Sequence, residues 1–192
     1  IKASEVSKRP KAPFTTSTLQ QAASSRLGFS PSRTMRIAQK LYEKGFITYM
    51  RTDSTTLSKE AVAPIHQTIV TEFGKEFVMP REFKTKSKNA QEAHEAIRPT
   101  DAGKKTAGVT EEEKRLYQLI RIRTVASQMA DAKVLRTKII ANIGEVDFPD
   151  FSVTGSHLLF LGWLALDTHA RSEDVELPKL TAGEALELKE LV

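Results

Sequence analysis

The chain has 192 residues, of which 40% are hydrophobic and 28% charged, a balance typical of a folded protein with one domain or two small ones. It has no cysteine, which excludes disulfide frameworks, cysteine-ligated metal sites and thiol nucleophiles. The longest apolar run, residues 158–166, is too short to span a membrane, so no membrane association is expected. Because the chain begins at Ile1 rather than Met, we expect it to be a piece of a longer protein.

Positive charge is concentrated in the first third of the chain. Residues 1–60 carry 11 Lys and Arg against 4 Asp and Glu, whereas the other 132 residues carry 18 against 20. This asymmetry is compatible with binding of a polyanion such as a nucleic acid, although many basic surfaces are only hydrated.

The N-terminal half is predicted to be helical. Residues 1–13 are polar and contain two prolines, which indicates a linker or an incoming strand. A capping box beginning at Ser17 and a glycine at Gly28 bound the first predicted helix. The second opens at Ser30, with Pro31 in its first turn, and stops at Gly45. Its predicted apolar stripe consists of Met35, Ala38, Leu41 and Tyr42.

Further elements follow in chain order. Residues 46–50 are β-branched and aromatic, which favours an extended segment. A third helix is predicted over 58–73, and a long loop over 75–109 with a short helix near 90–96. Another helix begins at Thr110.

Beyond residue 131 the pattern becomes β-rich. Strands are predicted at 137–143, 151–154, 157–166 and 185–191. The expected class is therefore α+β. We expect an incoming strand at 1–8, a mainly helical domain at 9–133 and an incomplete β-rich domain at 134–192.

Residues 47–54 concentrate polar side chains directly after the second helix. Tyr49 and Arg51 are two positions apart, so on an extended segment they project from the same face. A phenol is a weak nucleophile that needs a nearby cation or base, and an arginine can hold a phosphate oxygen as charge develops. The pair is typical of phosphoryl transfer. The alternative is a plain strand-to-turn connection, with Tyr49 in the core and Asp53 capping the next helix.

His94 lies in a second cluster of charged side chains, between Glu92 and Glu95 and before Arg98. An imidazole in such surroundings can shuttle protons near neutral pH. On a helix, His94 and Arg98 share a face. The alternative is an ordinary exposed helix end.

A basic stripe is predicted on the second helix. Arg33, Arg36 and Lys40 share a face that could contact a DNA backbone, or could simply be solvated. Gln39 and Glu43 are one turn apart on a neighbouring face. No group of His, Asp and Glu has metal-ligand spacing, so no metal site is predicted in this chain.

Taken together, four segments resemble the type IA DNA topoisomerases. They are residues 13–23, 45–55, 91–99 and 116–120. The segment 45–55 resembles the motif around the active-site tyrosine of that family, and all four occur in the family's order and spacing. Residues 131–192 resemble its β-rich arch more loosely. Met50 is typical of the bacterial topoisomerase I branch, with topoisomerase III and reverse gyrase as the alternatives.

The resemblance implies an ATP-independent enzyme that cuts one DNA strand, passes another strand through the break and reseals it, relaxing negative supercoils. It implies Tyr49 as the nucleophile that becomes linked to the 5′ phosphate, Arg51 as the residue that holds that phosphate, and His94 as a nearby residue at the domain interface. Supporting roles in orienting DNA or the site are implied for Thr48, Thr52, Asp53, Gln39 and Glu43.

The resemblance also implies what lies outside this chain. Mg²⁺ is the implied cofactor of the whole enzyme, with its ligands and a catalytic glutamate and lysine in a domain absent here. The fragment is therefore expected to bind no cofactor and to be inactive alone. Single-stranded DNA at the cleavage site is the implied partner of a monomeric bacterial protein that acts at the nucleoid in the cytoplasm.

The helical domain is expected to move as a gate on the arch, with hinges near residues 8–13 and 131–136. The alternative function is a non-catalytic module that binds DNA or a protein partner through the basic N-terminal third.

Overall fold

The computed structural model describes residues 1–83, 95–142 and 149–187, and within them it has four α-helices and one three-stranded sheet. The helices are α1 (Thr16–Leu27), α2 (Pro31–Glu43), α3 (Lys59–Phe73) and α4 (Glu111–Ser127). The antiparallel strands are β1 (Lys2–Lys8), β2 (Ala132–Ala141) and β3 (Phe151–Phe160), with β2 in the centre. This arrangement confirms the predicted α+β class. No helix in the described part of the chain is long and apolar enough to cross a membrane.

The N-terminus of α1 differs from its prediction. Its N-cap is Thr15, whose side chain accepts a hydrogen bond from the backbone N–H of Thr18. The predicted capping box beginning at Ser17 was therefore wrong by two residues. The cause is a tertiary contact, because a β-bridge between Phe14 and Ile97 keeps the chain extended up to residue 14 and leaves the next threonine to cap the helix.

The main hydrophobic core lies between α1, α2 and α4. Its completely buried large side chains include Phe14, Leu19, Leu41, Leu116 and Ile120. Ile47 and Met50, from the segment that follows α2, belong to the same cluster. The core therefore holds that segment against the helices.

A second core cluster joins α3 and α4 to the start of the sheet. It includes Trp163, which packs with side chains of these two helices. The indole N–H of Trp163 donates to the Lys8 carbonyl oxygen at 2.9 Å, and its backbone N–H donates to that of Ala130 at 2.9 Å. The hydrogen bonds of Trp163 therefore join two connections between the helices and the sheet, one near Lys8 and the other near Ala130.

The strand boundaries also differ from prediction. The strands expected at 151–154 and 157–166 are one strand, β3, because Gly155 pairs with Thr137 inside the ladder and does not interrupt it. Residues 162–165 form a 3₁₀ turn rather than a strand. β2 begins at Ala132, five residues before the predicted strand. Residues 185–187 form no strand, and the rest of that predicted strand lies outside the described residues.

Glu113 joins α4 to the end of α2. Its carboxylate is 2.8 Å from the Lys44 ammonium nitrogen and accepts a hydrogen bond from the backbone N–H of Val109, also at 2.8 Å. The Lys44 hydrogen bond, with further support from the Val109 N–H, holds the pKa of Glu113 below its usual range. A carboxyl whose pKa is lowered by folding stabilises the protein where it is ionised, and that contribution disappears as the pH falls through the lowered pKa.

We therefore expect Glu113→Gln to lower the free energy of unfolding at pH 7 by about 1–2 kcal/mol, since a buried ionic hydrogen bond is lost. The difference from wild type should be constant above about pH 5 and shrink at lower pH. Urea denaturation at several pH values measures it. Glu111→Gln is the control, because Glu111 is exposed and pairs only with Lys114 of its own helix among the described residues. A difference that persisted unchanged at low pH would contradict this account.

Candidate active site

The predicted extended segment 46–50 is paired only over residues 46–48, which lie against residues 98–100, and the chain bends at residues 46, 48 and 50 instead of forming a strand. The backbone N–H of Thr48 donates to the Arg98 carbonyl oxygen at 2.9 Å, and that of Thr100 donates to the Phe46 oxygen at 3.0 Å. Ile47 forms an antiparallel bridge in the middle of this pairing. The segment therefore has a fixed direction away from the end of α2.

Side chains alternate along the continuation of this segment. Met50 and Thr52 are buried, whereas Tyr49, Arg51 and Asp53 are exposed. Tyr49 is 43% exposed, so the alternative interpretation of Tyr49 as a core residue is wrong. Asp53 does not cap the next helix either, because the N-cap of α3 is Ser58. Tyr49 and Arg51 are thus both exposed, on either side of the buried Met50.

The residues on both sides of Tyr49 are held by hydrogen bonds. The Thr48 hydroxyl donates to the Ala96 carbonyl oxygen at 2.7 Å and accepts from the backbone N–H of Arg98 at 3.0 Å. On the other side, the Thr16 hydroxyl donates to the Met50 carbonyl oxygen at 2.7 Å. The backbone around Tyr49 is therefore fixed while its ring projects into solvent.

Thr16 is a site residue that sequence reasoning missed. Its hydroxyl also accepts from the backbone N–H of Thr52 at 2.9 Å, and its own N–H donates to the Thr52 carbonyl oxygen at 2.9 Å. The Thr52 hydroxyl, in turn, accepts from the N–H of Ser54 and so supports the turn rather than facing solvent. The only sequence signal for Thr16 was its place in the segment 13–23, which resembles the entry into the family's domain.

The three tyrosines of the chain differ sharply in environment. Tyr117 is 1% exposed, and its hydroxyl donates to the carbonyl oxygens of Asp101 and Lys104. Burial, together with the charge of Asp101, raises the pKa of Tyr117 to about 12. A buried phenol that resists ionisation cannot reach a bulky substrate, so only Tyr42 and Tyr49 remain as candidate nucleophiles.

Tyr42 is placed differently from its prediction. The sequence assigned it to the apolar stripe of α2, but it is 42% exposed. Its ring lies edge-to-face with that of Tyr49, with 5.3 Å between the centroids and an interplanar angle of 66°. Leu41 and Ala38 do form the buried stripe, as expected. The error arose because Tyr42 follows Leu41 directly and so lies at the margin of the stripe.

The polar residues of α2 are on its surface. The Gln39 side-chain amide donates to the Glu43 carboxylate at 2.9 Å, which confirms their predicted one-turn spacing. Arg33 forms an ion pair with Glu112 of α4, whereas Arg36 is exposed. The hydrogen bond from Arg33, with the added charge of Arg36 and Lys40, holds the pKa of Glu112 below its usual range. The basic stripe is thus real but partly neutralised.

Of the helix predicted near residues 90–96, the structure describes only residues 95 and 96. His94 and residues 90–93 lie outside the described residues. Glu95 and Ala96 are not helical, so the prediction of a helix through residue 96 was wrong there. Arg98 instead turns back onto Glu95 in a two-point ion pair, with nitrogen–oxygen distances of 2.8 and 2.9 Å. Glu95 also accepts a hydrogen bond from the N-cap of α3, the backbone N–H of Ser58.

The described residues provide no ligand set for a divalent metal. Among those residues no group of three or more His, Asp or Glu side chains is arranged to hold an ion. The acidic residues nearest to Tyr49 in sequence are Glu43, before the paired segment, and Asp53, after it. Both are exposed, and neither belongs to such a group. The residues seen here therefore do not fit a Mg²⁺ site.

Comparison with known proteins identifies the class to which this arrangement belongs. The family model described as DNA topoisomerase matches residues 1–192. DNA topoisomerase 1 of Zymomonas mobilis is 45% identical, over 100% of this chain and 17% of that protein. The Synechocystis DNA topoisomerase 1 is 41% identical, over 96% of this chain and 22% of that protein. The structure of full-length topoisomerase I from Thermotoga maritima matches 95% of this chain and 31% of its own, at 37% identity and a TM-score of 0.81.

The chain therefore belongs to the DNA topoisomerase family, whose members are isomerases. The relatives just described are bacterial topoisomerase I proteins, which confirms the predicted resemblance to the bacterial type IA branch. The chain spans between 17% and 22% of the length of the two sequence relatives. It thus corresponds to a fragment of such a protein.

Proposed function

We propose that this chain supplies the nucleophile and part of the phosphate-binding surface of an ATP-independent DNA topoisomerase that cleaves one strand at a time. The observation that carries the proposal is the placement of Tyr49. Its ring is exposed, both neighbouring residues are held by hydrogen bonds, and Arg51, two positions further on, is exposed as well. Membership of the topoisomerase family supports the same assignment.

The proposed chemistry is a transesterification. The phenolic oxygen of Tyr49 attacks the phosphorus of a phosphodiester and loses its proton, while the bond from phosphorus to the 3′ oxygen breaks and that oxygen takes up a proton. The protein becomes linked to the 5′ phosphate, and the reverse attack by the 3′ hydroxyl reseals the strand. Because one phosphoester replaces another at each step, resealing needs no ATP.

Arg51 is proposed to hold the non-bridging oxygens of the phosphate. A guanidinium presents two parallel N–H donors to such oxygens and stabilises the charge that develops on them during attack. Thr48 acts through the backbone, because its hydroxyl joins the tyrosine segment to residues 96–98. Asp53, Gln39 and Glu43 are proposed to orient the strand or the phosphate, and His94 remains a predicted site residue outside the described ranges.

The basic residues of α2 are proposed to contact the DNA backbone away from the cleaved bond. Arg36 is exposed, whereas Arg33 must first leave Glu112 or contact DNA from within that ion pair. Contacts of this kind position DNA without reading its sequence. The whole protein is proposed to be a monomer that takes single-stranded DNA at the cleavage site, in the bacterial cytoplasm at the nucleoid.

The chain by itself is proposed to be inactive. The described residues do not fit a Mg²⁺ site, and no step above is assigned to a metal. The acid, the base and the metal ligands that complete the reaction are proposed to lie in the parts of the longer protein that this chain does not cover.

The helical part, residues 9–133, is proposed to swing as a gate on the sheet. Besides the predicted hinges near 8–13 and 131–136, the chain passes between the two parts again near residues 160–162. Beyond that third crossing, Asp167 is bound by Arg26 of α1 through two hydrogen bonds of 2.8 and 3.0 Å. Solution scattering of the full-length protein, with and without DNA, should require more than one angle between the parts. A single fixed angle under both conditions would contradict the gate.

The proposed reaction is tested by the polarity of the covalent adduct. The full-length protein is mixed with Mg²⁺ and a single-stranded oligonucleotide labelled at either its 3′ or its 5′ end, then stopped with denaturant. We expect the 3′ label to stay with the protein and the 5′ label to be released, because the protein holds the 5′ phosphate of the downstream piece. The isolated 192-residue chain should form no adduct. Retention of the 5′ label instead would overturn the proposed linkage.

A further inference from the structure

Tyr42 is in contact with the proposed nucleophile but has no role in the mechanism above. Its ring centroid is 5.3 Å from that of Tyr49 and the planes are inclined at 66°. Edge-to-face packing of this kind is a favoured arrangement, because the positive edge of one ring meets the negative face of the other. The contact therefore restricts the directions in which the Tyr49 ring can point.

In the part of the chain that the structure describes, little else orients the Tyr49 side chain. Among the described residues, none forms a hydrogen bond with its hydroxyl, and the ring is 43% exposed. The hydrogen-bonded backbone fixes where the side chain starts but does not fix rotation about the Cα–Cβ bond, which swings the hydroxyl oxygen to a new position. A nucleophile must approach phosphorus within about 3–3.5 Å and in line with the leaving oxygen, so a side chain free to change this rotamer spends most of its time misplaced.

Tyr42, in contrast, is anchored by the helix that carries it. It lies in the last turn of α2, directly after the fully buried Leu41. Its carbonyl oxygen accepts a hydrogen bond from the N–H of Gly45 at 2.8 Å, and the N–H of Phe46 returns to the Leu41 oxygen at 2.9 Å. The turn between the two tyrosines is thus closed by backbone hydrogen bonds, which sets the distance between their Cα atoms.

We propose that Tyr42 is a positioning residue that holds the Tyr49 ring in its attacking orientation through the contact of the two rings. The inference rests on the proposed function of Tyr49. It assigns the effect to the ring of Tyr42 and none to its hydroxyl. An exposed aromatic ring near a single strand can also bind DNA by stacking on a base. The proposal assigns no such DNA-binding role to Tyr42.

The test compares Tyr42→Phe and Tyr42→Ala in the full-length protein. The single-turnover rate of adduct formation is measured at saturating oligonucleotide, and the oligonucleotide dissociation constant is measured separately by fluorescence anisotropy without Mg²⁺. Tyr42→Ala should slow adduct formation by about three- to tenfold, the range expected for loss of one aromatic pair, and leave the dissociation constant within about twofold. Tyr42→Phe keeps the ring and should retain the wild-type rate.

A second measurement reads the orientation of Tyr49 without any reaction. Fluorotyrosine is placed at position 49 and its ¹⁹F resonance is recorded in the free protein. Loss of the neighbouring ring current shifts this resonance in any case, so the readout is its shape. Tyr42→Ala should broaden it or split it into the signals of several side-chain orientations, whereas Tyr42→Phe should leave a single signal. A single resonance of wild-type width in Tyr42→Ala would overturn the proposal even if the rate had fallen.

Other outcomes also decide the matter. An unchanged rate in Tyr42→Ala, or a weakened dissociation constant with the saturated rate intact, would contradict positioning, and the latter would assign the ring to base stacking. An equal loss of rate in Tyr42→Phe would transfer the effect to the hydroxyl. Tyr49→Phe is included throughout. If that variant still forms the adduct, the proposed function itself fails, whereas its inactivity beside a fully active Tyr42→Ala would remove only the role of Tyr42.

Discussion

Replacing Tyr49 with phenylalanine in the full-length protein is expected to abolish both the covalent adduct and the relaxation of supercoiled DNA. The variant lacks only the phenolic oxygen, and the ring keeps its contact with Tyr42 and its place on a segment fixed by Thr16 and Thr48. Removal of a nucleophile from a site that is otherwise intact lowers the rate by more than about 10⁴-fold. Plasmid relaxation on agarose and adduct formation on denaturing gels measure the two losses.

Tyr42→Phe is the matched control, because it makes the same change at a tyrosine of nearly equal exposure. It should relax DNA normally. Arg51→Ala separates the phosphate contact from the nucleophile, and we expect it to form the adduct about 10²-fold more slowly rather than not at all. Relaxation by Tyr49→Phe would contradict the assignment of the nucleophile.

Gly162→Ala is expected to destabilise the isolated chain by about 3 kcal/mol, the largest effect on folding that we predict. Gly162 follows β3 with φ +48°, and a Cβ atom there would lie 2.5 Å from the Ala130 carbonyl oxygen. The obstacle is backbone, which cannot rotate away as a side chain can. The next residue, Trp163, donates hydrogen bonds to the carbonyl oxygens of Lys8 and Ala130. A backbone shift that relieved the clash would therefore also disturb these hydrogen bonds.

The control for this substitution is Gly28→Ala. Gly28 has a similar positive φ of +70°, but no heavy atom lies within 4 Å of its Cβ position. It should therefore show only the backbone cost, about 1 kcal/mol. Urea denaturation followed by circular dichroism compares the two. Equal losses for both variants would show that the close approach to Ala130 has no energetic weight.

The helices were predictable where their signals are local. α2 begins at Pro31 and α3 ends at Phe73, as the sequence predicted, because capping residues act within one turn of the helix end. The start of α1 was predicted wrongly because Phe14 pairs with Ile97, more than 80 positions away. Likewise, β3 runs through Gly155 because its partner strand, and not its own composition, decides where pairing ends.

At the candidate site, the exposure of Tyr49 and Arg51 on either side of the buried Met50 agrees with the alternation predicted from the sequence. The roles of these residues stay predictions. The contacts that support this segment were not predictable from the sequence. Thr16 reaches the segment from 34 residues away, and the Glu95 carboxylate binds both Arg98 and the backbone N–H of Ser58, which lies 37 positions away. Tyr42 lies at the edge of an apolar stripe, where sequence periodicity does not distinguish a core ring from an exposed one.

The central claim, that Tyr49 carries the bond to DNA, is tested most directly by mapping the adduct. The full-length protein is trapped on an oligonucleotide with denaturant, trimmed with nuclease and digested with trypsin. Cleavage after Lys44 and Arg51 releases residues 45–51, in which Tyr49 is the only tyrosine, whereas Tyr42 falls in residues 41–44. The account predicts a nucleotide linked through its 5′ phosphate to Tyr49 in the first peptide. The same mass on residues 41–44, or on any peptide outside this chain, would contradict it.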